Sequence, residues 1–216
     1  MPRKLLLRND HLPYHVTARA NNRQEFPLSM GQMWEIMSDE CLRAHVLYAV
    51  EFHALVLMPN HFHILLTVPE RDLGVVMNEL MKSVSRSTNL LSGRSGHLFG
   101  GPYHWSLIGN TRYFRHALKY IYRNPVRAKL CSRVESYPYS TLWGLIGLGK
   151  LPFPIFLTRI GMEISLPFLD GQRQLDWLNT PFPIEMEKLI QKGLRKKLFD
   201  EARDRETRVS VAAALN

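Results

Sequence analysis

Ala49-Val50-Glu51-Phe52-His53-Ala54-Leu55-Val56-Leu57-Met58-Pro59-Asn60-His61-Phe62-His63-Ile64-Leu65-Leu66-Thr67-Val68 is the stretch on which the fold turns. Two strand-forming runs, 49–57 and 61–68, are separated only by Met58-Pro59-Asn60. Length and residue type predict a tight antiparallel hairpin. Upstream, 13–20 reads as a strand closed by the turn-prone Asn21-Asn22 pair, and about 29–46 reads as a helix with Met30, Met33, Ile36, Met37, Cys41 and Leu42 at helical spacing. Downstream, 72–91 opens on an Asp cap and predicts a second helix. A Gly- and Ser-rich loop, 92–96, leads to a fourth strand over 103–108, and a third helix begins near Thr111.

Strand, helix, strand, strand, helix, strand is the ferredoxin-like order. The expected class is therefore α+β: a four-stranded antiparallel sheet with two helices on one face, the other face being left for ligand or further helices. The third helix is the candidate catalytic helix. After about Ser140 the composition turns rich in Pro, Phe and Leu, then amphipathic from Ile184 to about Arg208. Residues 1–143 are read as the main domain and 144–216 as a mainly helical extension.

With 216 residues, 45% hydrophobic and 22% charged, the chain can bury one substantial core and an extension. Cys41 and Cys131 have no CxxC spacing, which argues against a disulfide framework or thiolate metal site and suits a reducing cytosol. Three leucines near the N-terminus fall short of a signal core or membrane span, so neither export nor membrane anchoring is expected. Between Leu80 and Val134 there is no Asp or Glu but ten Lys or Arg, which exceeds the net charge of +9 of the whole chain. A carboxylate-free segment of that length points to a polyanionic partner, nucleic acid first.

Side chains alternate along a strand, so Phe62, Ile64, Leu66 and Val68 share the core face while His61, His63, Leu65 and Thr67 share the other. Two imidazoles two residues apart can bind one divalent cation; the bland alternative is an exposed pair without a role. On the third helix, Phe114, Leu118, Ile121 and Pro125 form an apolar stripe, and Arg112, His116, Lys119, Arg123 and Arg127 a basic one. Tyr113, Ala117, Tyr120 and Asn124 form a third row, whereas Tyr122 leans toward the core. Tyr120 is thus the better candidate nucleophile. Asn124-Pro125 also suits a cap and first position of a new helix after a kink.

The Pro-Asn-His-Phe-His-Ile-Leu run, Gly93-Arg94-Ser95-Gly96-His97-Leu98-Phe99 and Tyr120-Ile121-Tyr122-Arg123-Asn124-Pro125-Val126 together resemble the HUH single-tyrosine transposases, and within them the REP-associated tyrosine transposase branch. Tyr14 to Arg23 and Tyr137-Pro138-Tyr139-Ser140 extend the resemblance over roughly 10–143. It implies that His61 and His63 bind Mg²⁺ or Mn²⁺, that Asn124 completes the metal site, and that Tyr120 attacks a phosphodiester. Related transposases commonly carry Gln, one methylene longer, at the Asn124 position. The implied reaction is transesterification through a 5′-phosphotyrosine on single-stranded or hairpin-forming repeat DNA, with a cytoplasmic, nucleoid-associated protein acting as monomer or homodimer. An HUH replication or conjugation nickase and a non-catalytic nucleic-acid-binding module are the alternatives. Thr17, Arg19, Asn22, Arg23, Arg94, His97, Arg112, Lys119 and Arg123 are the expected DNA contacts.

Overall fold

The computed structural model describes residues 6–156 and 172–199. Its elements run β1 (Tyr14–Arg19), α1 (Met30–Tyr48), β2 (Glu51–Met58), β3 (His61–Thr67), α2 (Leu73–Ser92), β4 (His104–Ile108), α3 (Thr111–Arg127), α4 (Thr141–Leu145), α5 (Gln172–Asn179), α6 (Ile184–Gly193) and β5 (Leu198–Phe199). The expected hairpin is β2–β3, joined by Pro59-Asn60 alone. Ser29 and Asp72 cap α1 and α2 through side-chain oxygens that accept from the backbone N–H groups of Gln32 and Gly74.

Strand order is β2-β3-β1-β4-β5, with the first four antiparallel and β5 parallel to β4. This is a ferredoxin-like core with one strand added by a mainly helical C-terminal region. Phe62, Ile64, Leu66, Tyr14, Val16 and Ala18 are buried in one apolar cluster with residues of α1 and α2. The opposite face is not free. Ala54, Val56, Leu65 and Ile108 meet Phe114, Leu118, Ile121 and Tyr122 of α3 in a second cluster, completed by Leu178, Ile190, Leu194 and Phe199 of the C-terminal region.

The extension differs from the single amphipathic helix expected from 184 onward. Its helix stops at Gly193, and the chain returns as β5. The physical reason is local: a Cβ on Gly193 would lie 2.4 Å from the Phe199 ring, so glycine is what lets that ring pack back against α6. Phe199 in turn sits 4.7 Å from Tyr113, centroid to centroid. Residues 200–216, including Arg203, Arg205 and Arg208, lie outside the described residues.

The outer edge of β2 is occupied along much of its length. Leu57 N–H donates to Tyr139 O (3.0 Å), Leu55 N–H to Thr141 Oγ1 (3.0 Å), and Phe156 N–H to Phe52 O (2.7 Å). His53, at a bulge in β2, donates from Nδ1 to Phe156 O (2.5 Å) and accepts at Nε2 from the Thr67 hydroxyl (2.8 Å). Among the described residues no helix is long and apolar enough to cross a membrane.

Candidate active site

The two histidines of β3 face the α3 side of the sheet, as strand alternation requires, but that side is itself a covered surface. His63 is buried, only 7% exposed, and His61 is half-buried. Their rings are 5.1 Å apart and nearly perpendicular. The ring orientation of His61 follows from Asn60. The Asn60 amide nitrogen donates to Arg23 O (2.9 Å), which leaves Oδ1 as an acceptor only. His61 Nδ1 lies 2.7 Å from that oxygen and must therefore carry the proton, so its Nε2 lone pair is bare. Burial and the nearby Arg19 guanidinium push the His61 pKa down to about 4. Burial, then His15, His61, Arg19 and Arg127, hold His63 well below the ordinary imidazole value. Both rings are neutral near pH 7, the state in which imidazole binds a cation.

His63 Nδ1 shares a 2.9 Å hydrogen bond with Nε2 of His15 on β1, and the two rings stack at 5.2 Å. His15 is 3% exposed, and burial lowers its pKa to about 3. The sequence places His15 on the same strand face as Thr17 and Arg19, but it gives no sign that the ring meets His63.

Tyr120 comes from α3, whose first turn is capped by Asn110 Oδ1 accepting from Tyr113 N–H (3.0 Å). Its ring stands edge-to-face to His63, 6.2 Å between centroids, and the Arg127 guanidinium lies 5.2 Å from the Tyr120 centroid. Tyr122 is 1% exposed, hydrogen-bonded to Thr141 (2.9 Å), and its phenol pKa is pushed up by burial. Only Tyr120 of this pair is accessible.

The helix does not restart at Asn124-Pro125 but runs through to Arg127. Pro125 has no N–H for the Ile121 carbonyl four residues earlier, and the Asn124 side chain takes the position over. The Asn124 Nδ2 donates to Tyr120 O (3.0 Å) and Ile121 O (3.3 Å), and its Oδ1 accepts from the Arg127 guanidinium (3.4 Å). Among the described residues no three His, Cys, Asp or Glu side chains gather as a metal cluster. Of the donors expected from the sequence, His61 and His63 lie side by side as neutral imidazoles, and Asn124 follows Tyr120 by one turn of α3. Nε2 of His61 is the atom that its Asn60 partner leaves free, a neutral donor of the kind a borderline divalent cation takes.

The expected DNA contacts divide into two groups. Thr17 and Arg19 sit directly across from His63 and His61 in the β1–β3 register, Arg19 exposed. Asn22 and Arg23 follow in a tight turn with φ of 54° and 59°, strapped to the hairpin by Ala20 N–H donating to Asn60 O (2.8 Å) and Phe26 N–H donating to Pro59 O (2.8 Å). Asn22 lines a small polar cleft with Asn21, Gln24, Arg94, Ser95 and His97. The basic stripe of α3 is different. Lys119 and Arg123, expected as DNA contacts, are only 5% and 7% exposed. The extension covers them: Lys119 lies 4.7 Å from the Trp177 ring and 4.8 Å from Phe182, and Arg123 donates to the carbonyls of Leu178 (3.1 Å) and Asn179 at the C-terminus of α5. Cations are favoured over aromatic faces and at helix C-termini, and this is what draws the extension onto the stripe. Arg112 is half-exposed in the first turn of α3. Arg127, exposed, pairs with Glu187 of α6.

No family model matches the chain. It is 30% identical over 105 residues to a REP-associated tyrosine transposase of Escherichia coli (strain K12), covering 47% of this chain and 60% of that protein's length. Among solved structures it is similar to the REP-associated tyrosine transposase bound to a REP hairpin, with a TM-score of 0.59, 22% identity, and coverage of 73% of this chain and 94% of the other. The sequence match establishes homology to REP-associated tyrosine transposases at moderate identity, and the structural match establishes the shared fold.

Proposed function

We propose that this chain cuts and rejoins single-stranded DNA by transesterification, with Tyr120 as nucleophile and hairpin-forming repeat DNA as substrate. The observation that carries the reading is convergence. Tyr120 stands against His63, next to His61, on the same helix face as Asn124, while its neighbour Tyr122 is buried and bonded to Thr141. Homology to REP-associated tyrosine transposases supports the substrate class.

Tyr120 Oη attacks the scissile phosphorus. A P–O bond to tyrosine forms as the P–O bond to the 3′ oxygen breaks, giving a 5′-phosphotyrosine and a free 3′-hydroxyl. The phenol proton leaves to solvent, and the 3′ oxygen gains one. Because the number of phosphoester bonds is unchanged, attack by a second 3′-hydroxyl regenerates tyrosine and rejoins a strand without ATP. Arg127, beside the Tyr120 ring, and Arg19, beside His61, draw the phosphate to the attacking oxygen. Asn22, Arg94 and His97 hold the strand at the polar cleft they line, with Arg23 in the turn beside Asn22, and the Gly-flanked loop there brings backbone N–H groups close to phosphate. His61, His63 and Asn124 would hold a Mg²⁺ or Mn²⁺ ion, which would supply Lewis-acid polarisation of a phosphate.

The test is a denaturing gel for a covalent adduct between the protein and labelled single-stranded hairpin oligonucleotides, with Mn²⁺ or with EDTA. Wild type forms the adduct with Mn²⁺ alone, and Tyr120→Phe forms none. Reversible mobility shifts without adduct on every hairpin would replace this reading with a binding module.

A further inference from the structure

We infer that the polar cleft beside the candidate active site reads one unpaired nucleobase, with Glu25 and Arg94 as the discriminating residues, and that it favours a base carrying an exocyclic amine over thymine. This deepens the proposed function and rests on its reading of single-stranded DNA as the substrate.

The cleft has a volume of about 100 Å³ and lies between the turn after β1 and the loop after α2. Backbone bonds fix both walls. Ala20 N–H donates to Asn60 O (2.8 Å), Asn21 N–H to Leu98 O (2.9 Å), Gly100 N–H to Arg19 O (3.0 Å) and Arg94 N–H to Asn89 O (3.0 Å). The Asn89 amide adds a bond to Gly96 O (2.8 Å). A Cβ on Gly100 would lie 3.2 Å from Asn21 Cα, so the two walls meet closely. Asn21, Asn22, Gln24, Glu25, Arg94 and His97 line this frame, and among the described residues none of these six side chains makes a hydrogen bond or an ion pair. A fixed backbone carrying unengaged polar heads is the arrangement that pre-organised recognition needs.

Glu25 decides the ligand. It shares the cleft with Arg94 and His97, which belong to the carboxylate-free stretch between Leu80 and Val134. A site for phosphate alone is weakened by a carboxylate, because the two charges repel. A carboxylate only accepts hydrogen bonds and a guanidinium only donates them, so one group that satisfies both must offer an N–H beside an acceptor. Phosphate offers acceptors alone. Unpaired guanine, cytosine and adenine each carry an exocyclic amine next to an acceptor, and that amine projects beyond the ring to meet a carboxylate. The single N–H of thymine lies between two carbonyls, which sets acceptor against carboxylate. The amides of Asn21, Asn22 and Gln24 donate or accept and so adapt to the rest of the base. The Arg23 carbonyl in the same turn accepts from Asn60, whose Oδ1 accepts from His61. The base held here therefore belongs to a nucleotide near the one Tyr120 attacks.

Hairpin oligonucleotides with randomised unpaired flanks, bound to the full chain in EDTA so that no strand is cut and then sequenced, read the preference directly. Wild type is expected to deplete thymine about 10-fold at one flank position, in the range of a single lost base contact. Glu25 is exposed, so Glu25→Gln leaves the fold intact. Its amide can donate to a carbonyl, and the depletion is expected to vanish at that position while preferences elsewhere persist. A bound fraction with no thymine depletion at any position overturns the inference. So does Glu25→Gln binding that tightens by one factor on every sequence, the behaviour of a carboxylate that merely repels phosphate. Wild type that binds no member of the library overturns the inference and the proposed function together. Thymine depletion that Glu25→Gln abolishes, in a protein that forms no covalent adduct with Mn²⁺, supports the base-reading cleft while the transesterification reading fails.

Discussion

Two tyrosines two positions apart on one helix have opposite fates, decided by about half a turn of helix. Tyr120 keeps its ring at the sheet face beside His63, while the Tyr122 hydroxyl is spent on Thr141 inside the second core. Tyr122→Phe is expected to leave adduct formation intact and to cost about 1 kcal/mol of stability for the lost hydrogen bond, measurable by urea denaturation. A variant that loses the adduct while staying folded would reassign the nucleophile. Asn60 acts at the same scale. With Asn60→Ala, His61 loses the oxygen that holds its proton on Nδ1, and Mn²⁺ affinity should fall by about 10-fold; unchanged affinity in a calorimetric titration would refute that role. The alternation of β3 and the rows of α3 made His61, His63 and Tyr120 readable from the chain. His15 was not, because its partner lies 48 residues away and is defined by strand register. Asn60 was legible only as turn punctuation, since the Arg23 carbonyl that orients it comes from another loop.

Among the elements, α3 shows how a local conflict can be put to use. A proline inside a helix leaves an unpaired carbonyl and normally costs about 3 kcal/mol or more. Here the Asn124 amide donates to that carbonyl and to the one before it, and its oxygen accepts from Arg127. Pro125→Ala would return a backbone N–H to Ile121 O, in competition with the Asn124 side chain. The expected outcome is a melting temperature equal to or above wild type together with weaker Mn²⁺ binding; weaker binding accompanied by a lower melting temperature would point to simple damage. The Asn-Pro pair suggested a kink and a new helix, as it does when the asparagine caps forward. It bonds backward instead, and periodicity alone does not tell the two apart. The boundary of α6 was hidden for a related reason. Apolar spacing continues through Leu194 and Leu198, and the turn after Gly193 depends on the ring of Phe199 returning to meet it.

For the molecule as a whole, burial of imidazole is the dominant electrostatic fact. His15 and His53, 3% and 1% exposed, have pKa values lowered by burial from the ordinary 6.5 to about 3 and about 4. The unfolded chain takes up these protons below pH 6.5 while the folded protein refuses them, so the stability they contribute is full above 6.5 and is lost as pH falls toward 4. Each of the two adds about 1.4 kcal/mol per pH unit to the slope inside that window. Urea midpoints measured across it should fall steadily with acidification; a flat profile would mean that these rings are protonated in the fold. The four core strands and their order were legible because they depend on alternation and turn chemistry. The fate of the basic stripe was not, because charge composition counts cations without saying what covers them. Here it is Trp177, Phe182 and the carbonyl end of α5 that do so. The same C-terminal region, with the segment around Tyr139 and Phe156, also determines how the molecule meets its own copies. β2 is eight residues long and entirely buried, the kind of apolar strand that templates aggregation when its edge is bare. Its outward N–H and C=O groups are already engaged by the chain itself, and the far side of the sheet ends in a strand of two residues. Among the described residues the sheet therefore offers the next molecule no long bare edge to continue.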